Sequence, residues 1–387
     1  MKSVAIIPLR EGSKGIPGKN KVKILGRPLY QWCLGEAIFS DLDEIYVFTD
    51  DKEIINQVRN EYSWAPKVKA IERSEESASD TASTEQAMLE FSDHLKNDYD
   101  IICLLQATSP LTTREDINKG LRKITSEKND SALSVVNTKR FIWNRNGESV
   151  NYDYANRPRR QDFDGLLIEN GAVYVSSKDA FLKSKNRLSG KIGLIEMPED
   201  SLTEIDETSD LLMIEKLLLN RLHQHKRNPK KIKAVVLDVD GVFTDGKVQV
   251  SPEGELAKTF SMRDGMGLAI LRNSGVDIMV MTSENSPIVA QRMEKLGIKN
   301  LYMGVMDKYT RLNQILLDKN ISRNEIAYIG DDINDMANLN AVSWGICPND
   351  AIPEVKQSCD LSLTNNGGNM AIREAVEFII NYNKRFK

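Results

Sequence analysis

Short apolar, β-rich runs alternate with helical patterns along this chain, and this alternation constrains the fold more than any other feature. In the first half, runs that predict buried strands lie at 4–9, 45–49, 101–105, 132–136 and 172–175. Segments with apolar residues at helical spacing lie between them, at 29–39, 84–95 and 114–124. The alternation predicts a parallel sheet covered by helices, with ligands at the carboxyl ends of the strands.

A second series of the same kind begins at residue 234. Its predicted strands lie at 234–239, 278–281, 301–303, 326–329 and 344–346, and a helix at 371–382 closes it. The last helix of the first half, 209–225, ends in the charged stretch HQHKRNPKK, which indicates a linker. Because 387 residues exceed what one core usually organises, the sequence predicts an α/β protein of two doubly wound domains. The predicted bounds are 1–226 and 233–387, with a linker at 227–232.

Charge and composition limit the possible partners. The net charge of −4 provides no general attraction to nucleic acid, so an anionic ligand has to be held by local basic residues. No apolar segment approaches the length that spans a membrane, and the run at 4–9 is too short for the core of a signal peptide. We therefore expect a cytoplasmic protein with no nucleic-acid or membrane partner. The widely spaced cysteines predict reduced core thiols.

The loop LREGSKGIPGKN follows the first predicted strand and combines three glycines with basic residues. Backbone N–H groups in a glycine-rich loop can approach phosphates closely, while lysine and arginine neutralise their charge. The loop lacks the Gly-Lys-Ser/Thr ending of a Walker loop and the spacing of a dinucleotide fingerprint. On glycine content alone, a phosphate site and a plain strand-to-helix turn both remain open.

Six motifs decide between these alternatives. The run IIPLREGSKGIPGKN resembles the opening motif of sugar-acid cytidylyltransferases, and it is close to that of the cytidine-monophosphate sialic acid synthetases. The others follow in order: RSEESASDTAST at 73–84, LLQATSP at 104–110, RPRRQDFDG at 157–165, ENGAVYV at 169–175 and EIDETSDL at 204–211. The resemblance implies a nucleotide-diphospho-sugar transferase-like domain of the Rossmann type.

This resemblance implies a role for each matching residue on the nucleotide side. Those implied to bind the triphosphate and ribose are Arg10, Ser13, Lys14, Lys19 and Asn20. Among them, Arg10 and Lys19 are implied to act catalytically. Those implied to frame the cytosine and its sugar are Arg73, Ala82 and Thr84.

The sugar acid and the metal ion have their own implied contacts. Those implied for the acyl sugar are Gln106, Arg159, Arg160 and Gln161. An arginine suits the sugar's carboxylate because its guanidinium group can bind two oxygens at once, although Arg159 and Arg160 could also form a solvated basic turn. Asp206 is implied to hold Mg²⁺, while Glu204 stands where the family often has another aspartate. The implied reaction is attack of the sugar's anomeric hydroxyl on the α-phosphorus of CTP, with the general base left open.

A second constellation begins with VVLDVDGVFTDG, where Asp238 and Asp240 follow a hydrophobic strand. At the end of a strand the chain turns, so both carboxylates can converge on one cation. The pair could equally cap a turn with Gly241. The stretch DVDGVFTDG resembles the first motif of haloacid dehalogenase-type phosphatases. Three later elements of that family also appear, with Thr282 after a strand, Lys308 at a helix start and GDDIND at 330–335.

The resemblance to these phosphatases implies a division of labour. Asp238 is the implied nucleophile that forms an aspartyl phosphate, and Asp240 is the implied general acid and base. Thr282 and Lys308 are implied to bind the transferring phosphoryl group. The implied Mg²⁺ ligands are Asp238, Asp331 and the backbone carbonyl of Asp240, with help from Asp332 or Asp335.

The short segment between residues 245 and 282 leaves room for a hairpin and one helix, so the domain is expected to lack a cap. It resembles the small phosphatases that act on 3-deoxy-octulosonate 8-phosphate or nonulosonate 9-phosphates, which form tetramers. Arg263 matches their substrate-side loop, whereas Asn369 stands where an arginine is expected after paired glycines. That departure leaves the recognition of the sugar open.

Three whole-protein hypotheses follow. Animal sialic acid synthetases also carry a domain of this phosphatase class, but with eroded catalytic motifs and a role in assembly. The carboxy-terminal domain could therefore be a tetramerisation module, or the two domains could be joined by chance. We favour a bifunctional homotetramer, because the phosphatase motifs are present and nonulosonate 9-phosphates must lose phosphate before nucleotide activation.

Overall fold

The computed structural model describes residues 1–13, 15–228 and 230–386. It contains two compact units, and the chain contributes two segments to each. The first unit comprises Met1–Val22 and Pro28–Leu217, and the second comprises Lys23–Arg27 and Leu218–Lys387. Pro229 lies outside the described residues, and the linker at 227–232 stays a prediction.

Seven strands form the sheet of the first unit. They are β1 (Ser3–Pro8), β4 (Glu44–Thr49), β5 (Val68–Glu72), β6 (Ile101–Leu105), β7 (Ser131–Thr138), β8 (Leu166–Ser177) and β9 (Ile192–Met197). The order across the sheet is β5-β4-β1-β6-β8-β7-β9. Successive residues of β1 point to opposite faces, so Ile7 packs in one core cluster and Ile6 in another. The sheet is therefore buried on both faces, as a helix-covered sheet requires.

Helices alternate with these strands. They are α1 (Leu29–Ile38), α2 (Lys52–Glu61), α3 (Glu75–Ala78), α4 (Thr84–His94), α5 (Arg114–Thr125), α6 (Lys178–Ser184) and α7 (Thr208–Leu222). Side chains at several starts supply the missing backbone partners. Asp51 accepts hydrogen bonds from two N–H groups of α2, and Thr113 forms a capping box with Asp116 in α5.

One strand departs from the predicted parallel arrangement. β8 pairs antiparallel with both β6 and β7, whereas β1 pairs parallel with β4 and β6. The pattern of apolar runs does not specify direction. Between β7 and β8 the described chain contains a single 3-10 turn, Arg160–Asp162, and no crossover helix, so the chain returns in the opposite direction.

Six strands form the sheet of the second unit. They are β10 (Ala234–Leu237), β13 (Asp277–Met281), β14 (Asn300–Tyr302), β15 (Ile326–Ile329), β16 (Trp344–Cys347) and β17 (Leu361–Ser362). The order is β14-β13-β10-β15-β16-β17, and every neighbouring pair is parallel. The doubly wound α/β class predicted for both halves is confirmed.

The helices of the second unit are α8 (Met262–Asn273), α9 (Pro287–Lys295), α10 (Lys308–Lys319), α11 (Met336–Ala341), α12 (Pro353–Ser358) and α13 (Ala371–Asn383). Two short two-stranded sheets are also found in the described chain. One pairs β11 (Gln249–Ser251) with β12 (Gly254–Ala257), as the predicted hairpin requires. The other pairs β2 (Lys23–Ile24) with β3 (Arg27–Pro28).

A membrane-spanning helix is not found in the parts of the chain that the structure describes. No helix there is both long enough and apolar enough to cross a bilayer.

Candidate active sites

The first unit has a cavity of about 310 Å³ at the carboxyl end of β1. Eight of the residues predicted to bind nucleotide or sugar line it: Arg10, Ser13, Lys19, Asn20, Arg73, Ala82, Thr84 and Gln106. They come from three separate motifs of the sequence. Lys14 belongs to the same predicted set but lies outside the described residues.

Side-chain contacts fix the glycine-rich loop on one side of this cavity. Asn20 Nδ2 donates to the carbonyl oxygen of Arg10 at 3.0 Å, which joins the two ends of the loop. Lys19 Nζ donates to the carbonyl oxygen of Ile205 at 2.7 Å and lies 3.3 Å from Asp206 Oδ1. The ammonium group of Lys19 is thereby held between the loop and the predicted metal ligand.

Two arginines set the charge of the cavity. Arg10 Nη1 donates to Asp80 Oδ1 at 2.8 Å, and both side chains are partly exposed. Arg73 is buried, which lowers the pKa of its guanidinium group, and its Nη1 donates to the carbonyl oxygen of Leu9 at 3.3 Å. The sequence did not predict a role for Asp80, although it lies in the motif at 73–84. An acidic residue close in sequence to Ala82 and Thr84, which are implied to frame the cytosine, could have indicated one.

Two acidic residues of the EIDETSDL motif, Glu204 and Asp206, differ in environment. The Asp206 side chain is 76% exposed, whereas Glu204 is partly buried and burial raises the pKa of its carboxyl group, with Asp206 adding to the effect. A raised pKa at a carboxyl group beside a second carboxylate indicates that a cation would be favoured between them. Asp206 as a Mg²⁺ ligand stays a prediction.

The predicted sugar contacts at 159–161 lie outside this cavity. Arg159, Arg160 and Gln161 are all exposed, and Arg160 lines two shallow pockets that also contain Lys139. The structure therefore brings Gln106 together with the nucleotide set, but it does not bring these three residues to it. A role in sugar binding stays a prediction for all three.

In the second unit, charged side chains meet at the carboxyl ends of neighbouring strands. Asp238 follows β10, Asp331 follows β15, and Lys308 is the first residue of α10. Lys308 Nζ lies 2.9 Å from Asp238 Oδ1 and 2.9 Å from Asp335 Oδ1. Tyr328 donates its hydroxyl to Asp335 at 2.7 Å. The lysine is thus held by two carboxylates inside the protein.

Three carboxylates of this cluster fit a divalent cation. Ligand oxygens of Asp238, Asp331 and Asp335 lie within 4.8 Å of one another. Asp331 Oδ1 is buried without a hydrogen-bond partner, which a metal ion would satisfy. Hard oxygen ligands of this kind suit Mg²⁺. The sequence left open whether Asp332 or Asp335 assists the metal ligands. The structure favours Asp335, because Asp335 lies in the cluster and Asp332 is exposed.

The cluster is also electrostatically unbalanced. Burial, together with the charges of Asp335 and Asp238, raises the pKa of Asp331 to about 8. Burial likewise raises the pKa of Asp238, although the Lys308 ammonium opposes the shift. Burial works against the charged form of Lys308, but Asp335 and Asp238 overcome it and keep the pKa of this lysine above its ordinary value. One lysine cannot balance three ionised carboxylates, and a bound cation would favour the full ionisation of all three.

A glycine allows this cluster to form. Gly241 has φ of +82°, a left-handed conformation that glycine adopts without strain. A Cβ atom at this position would collide with Asp331 Oδ2. The glycine after Asp240 therefore permits both the turn and the approach of Asp331.

Asp240 points to a different partner. Its two carboxylate oxygens accept from Lys258 Nζ at 2.8 and 3.0 Å. The Lys258 side chain is 2% exposed and also pairs with Glu255 at 3.2 Å. The sequence did not predict a role for Lys258, although a lysine directly after β12 could have indicated a partner for a carboxylate. The carboxylate of Asp240 is held apart from the three-carboxylate cluster, and the prediction that its backbone carbonyl binds metal is untested.

The remaining predicted phosphatase residues occupy the same edge or its rim. Thr282 is buried directly after β13, where its Oγ1 accepts from the N–H of Glu284 at 3.3 Å. Arg263 is exposed on α8, and its Nη1 lies 3.2 Å from Met370 Sδ. Asn369 is also exposed, next to Met370 in the chain. Arg263 and the segment with the unexpected asparagine are therefore neighbours.

Comparisons with known proteins agree with both halves of the sequence interpretation. Residues 4–232 match the cytidylyltransferase family, and residues 290–373 match the haloacid dehalogenase-like hydrolases. A relative from Danio rerio named N-acylneuraminate cytidylyltransferase B is 31% identical over 391 residues, covering 98% of this chain and 91% of the relative. A relative from Oncorhynchus mykiss named N-acylneuraminate cytidylyltransferase is 31% identical, covering 99% of this chain and 89% of the relative.

A third relative matches the carboxy-terminal part alone. It is a 3-deoxy-D-manno-octulosonate 8-phosphate phosphatase from Haemophilus influenzae, 34% identical over 151 residues, which cover 39% of this chain and 84% of the relative. The predicted fusion of a cytidylyltransferase with a haloacid dehalogenase-like phosphatase is confirmed. The chain belongs to the cytidylyltransferase family, of the sialic-acid type, and carries a haloacid dehalogenase-like phosphatase similar to the octulosonate 8-phosphate phosphatases as its carboxy-terminal part.

Proposed function

We propose that the first unit transfers the cytidylyl group of CTP to a nonulosonic acid, and that the second unit removes phosphate from the 9-phosphate precursor of that acid. One observation carries the proposal. Lys308 is paired with Asp238 and Asp335 beside Asp331, in a chain whose full-length relatives are named N-acylneuraminate cytidylyltransferases. A phosphatase joined to such a transferase would act one step earlier, because the phosphate has to leave before nucleotide activation.

In the proposed transfer, the anomeric hydroxyl of the sugar acid attacks the α-phosphorus of CTP. The bond to the bridging oxygen breaks, and pyrophosphate leaves with the bond's electrons. Arg10 and Lys19 line the cavity and would stabilise charge on the phosphoryl oxygens, where most catalysis of phosphoryl transfer arises. Because Asp80 accepts from Arg10, we expect the triphosphate to displace Asp80 from this arginine.

In the proposed hydrolysis, Asp238 attacks the phosphorus of the sugar-acid phosphate and forms an aspartyl phosphate. Asp240 gives a proton to the leaving sugar oxygen and then takes one from the water that hydrolyses the aspartyl phosphate. Lys308 lies 2.9 Å from Asp238 and would balance charge on the transferring phosphoryl group. Lys258, which binds both oxygens of Asp240, would orient this acid.

Magnesium is part of the proposal for both units. Asp238 and Asp331 would hold it in the phosphatase, and Asp206 with Glu204 in the transferase. Bound there, the ion would neutralise charge on phosphate oxygens during each reaction.

Assembly and location complete the proposal. Apolar side chains are exposed on β11, β12 and α8: Val250, Leu256, Met262 and Met266. Large apolar side chains that are exposed in this number support a homotetramer built around the second unit. We also propose that the protein acts in the cytoplasm, where CTP is made.

A coupled assay tests the proposed function. The full chain is incubated with CTP and a panel of sugar-acid phosphates, including N-acetylneuraminate 9-phosphate and its deaminated analogue, while phosphate and pyrophosphate are measured separately. Asp238→Asn is expected to abolish phosphate release and to leave cytidylyl transfer to the free sugar within about twofold, because Asp238 belongs to the phosphatase cluster. Wild-type protein that releases no phosphate from any member of the panel would exclude the bifunctional proposal.

A further inference from the structure

A short segment from the early part of the sequence belongs to the second unit. Residues Lys23–Arg27 are grouped there, away from their sequence neighbours on both sides. Ile24 and Leu25 are buried, at 1% and 3% exposure. The segment is therefore a packed part of the phosphatase unit, even though 190 residues, 28–217, separate it from the rest of that unit.

Arg27 makes the most specific contact of this segment. Its Nε donates to Asp307 Oδ1 and its Nη2 to Asp307 Oδ2, both at 3.0 Å. The two bonds form a bidentate fork, the strongest common arrangement of arginine and carboxylate. The side chains are 4% and 1% exposed, so the pair is fully buried. Nη2 also donates to Thr310 Oγ1 at 2.8 Å, and the guanidinium carbon lies 4.6 Å from the ring centre of Tyr309.

Asp307 occupies a decisive place in the phosphatase. It is the N-cap of α10, and its Oδ1 accepts from the N–H of Thr310 at 3.2 Å. The next residue is Lys308, whose Nζ has to reach Asp238 and Asp335 at 2.9 Å each. Because Arg27 holds the cap, it also fixes the direction in which the first side chain of the helix leaves the backbone.

The same segment also approaches the short helix that carries Asp335, a member of the three-carboxylate cluster. Gly26 has φ of +78°, and a Cβ atom there would collide with the carbonyl oxygen of Ile333. Ile333 lies in the short helix Ile333–Asp335, which ends at one of the three clustered carboxylates. The segment therefore packs against both the start of α10, where Lys308 lies, and the short helix that ends at Asp335.

We propose that Arg27 is a positioning residue of the phosphatase, which holds Asp307 and thereby aims Lys308 at Asp238. The idea rests on the proposed phosphatase activity. Arg27 touches Asp307, Thr310 and Tyr309, so its effect reaches the reaction through Lys308. A displacement of about 1 Å at a group that binds the reacting phosphoryl can reduce the rate about 100-fold.

The test compares variants of the full chain. Arg27→Gln removes the charge and the fork, and Arg27→Lys keeps the charge without the fork. Arg323→Gln is the matched control, because Arg323 is also buried, lies 4.3 Å from the ring centre of Tyr309, and donates to Asn313 Oδ1 at 2.8 Å. The control thus removes a similar arginine from the side of the same helix rather than from its cap.

Phosphate release from N-acetylneuraminate 9-phosphate, cytidylyl transfer from CTP and thermal unfolding are measured for each variant. Arg27→Gln is expected to lower kcat for phosphate release about 10- to 100-fold with KM changed less than about threefold, and Arg27→Lys is expected to restore part of the loss. Arg323→Gln is expected to lower the unfolding temperature but to keep kcat within about twofold. Cytidylyl transfer reports whether the first unit of each variant is folded, and thermal unfolding reports on the second unit.

Three results would overturn the positioning role. They are a kcat for Arg27→Gln within about twofold of wild type, an equal loss in Arg323→Gln, or a loss that appears in KM alone. If Arg27→Gln does not fold, the decision falls to Arg27→Lys, whose kcat has to fall while its unfolding temperature stays near that of wild type. Failure of the proposed function differs from all of these, because wild-type protein would then release no phosphate.

Discussion

Asp335→Asn is expected to weaken Mg²⁺ binding by the second unit, and Asp332→Asn is its matched control. Both changes remove one carboxylate charge from the same loop. Asp335 is 0% exposed, and its Oδ1 accepts from both Lys308 and Tyr328, at 2.9 and 2.7 Å. Asp332 is exposed and accepts from the N–H of Ile333 at 2.6 Å. The pair therefore separates the effect of a buried charge from the effect of charge alone.

The expected size of the effect follows from the geometry. Two unit charges about 4 Å apart interact by about 4 kcal/mol at an effective dielectric constant of about 20, which is an upper bound for the loss. Asparagine also turns an N–H₂ group towards the cluster, and Lys308 loses one of its two carboxylate partners. Loss of a group that orients metal ligands typically costs about 10- to 100-fold in affinity. We expect a Kd increase in that range for Asp335→Asn, and less than about threefold for Asp332→Asn, because solvent screens an exposed charge.

Isothermal titration of the metal-free chain with Mg²⁺ measures both constants, and the Mg²⁺ dependence of phosphate release provides a second readout. Thermal unfolding in the presence of a chelator shows whether each variant is folded before metal is added. Equal changes in the two variants would refute the reasoning, because they would mean that the burial of Asp335 has no consequence. A larger change in Asp332→Asn would place the metal on the other carboxylate.

Two further predictions concern the nucleotide cavity and the ionisation of the cluster. Arg10→Ala is expected to reduce kcat/KM for CTP about 100-fold, because one charge-assisted contact to the triphosphate is lost, and unchanged steady-state kinetics would mean that the triphosphate binds elsewhere. Because the pKa of Asp331 is raised from 3.8 to about 8, the metal-free folded state holds a proton that the unfolded state releases, so its free energy of unfolding is expected to fall as pH rises between these values. Mg²⁺ binding has to expel that proton, so affinity is expected to rise up to about pH 8; a pH-independent Kd between pH 6 and 8 would contradict the assignment.

The placement of the two sites could be predicted from the sequence for a simple physical reason. The carboxyl ends of parallel strands meet at one edge of a sheet, so Asp238, Thr282 and Asp331 had to lie near one another once their strands were identified. The same argument brought Arg10 and Gln106, which follow β1 and β6, to one cavity.

Other features depend on contacts that no local pattern encodes. The choice between Asp332 and Asp335 depends on how a three-residue helix turns after β15, and both residues fit the same motif. The reversed direction of β8 depends on the loop that precedes it. Arg27 has no sequence signal at all, because its partner Asp307 lies 280 residues away.

The cost of buried charge distinguishes the two hypotheses for the second unit. Each charged group taken out of water loses several kcal/mol of hydration, and replacing a buried ion pair by apolar residues of similar volume is often neutral or stabilising. A module that served assembly alone would gain from such a replacement at Asp238, Lys308 and Asp335, which are all at most 6% exposed. The unit keeps these charges, leaves an oxygen of Asp331 buried without a partner, and keeps the pKa of that carboxyl near 8. An unfavourable arrangement of this kind is expected where a cation and a phosphoryl group complete the site, which favours a working phosphatase over a scaffold.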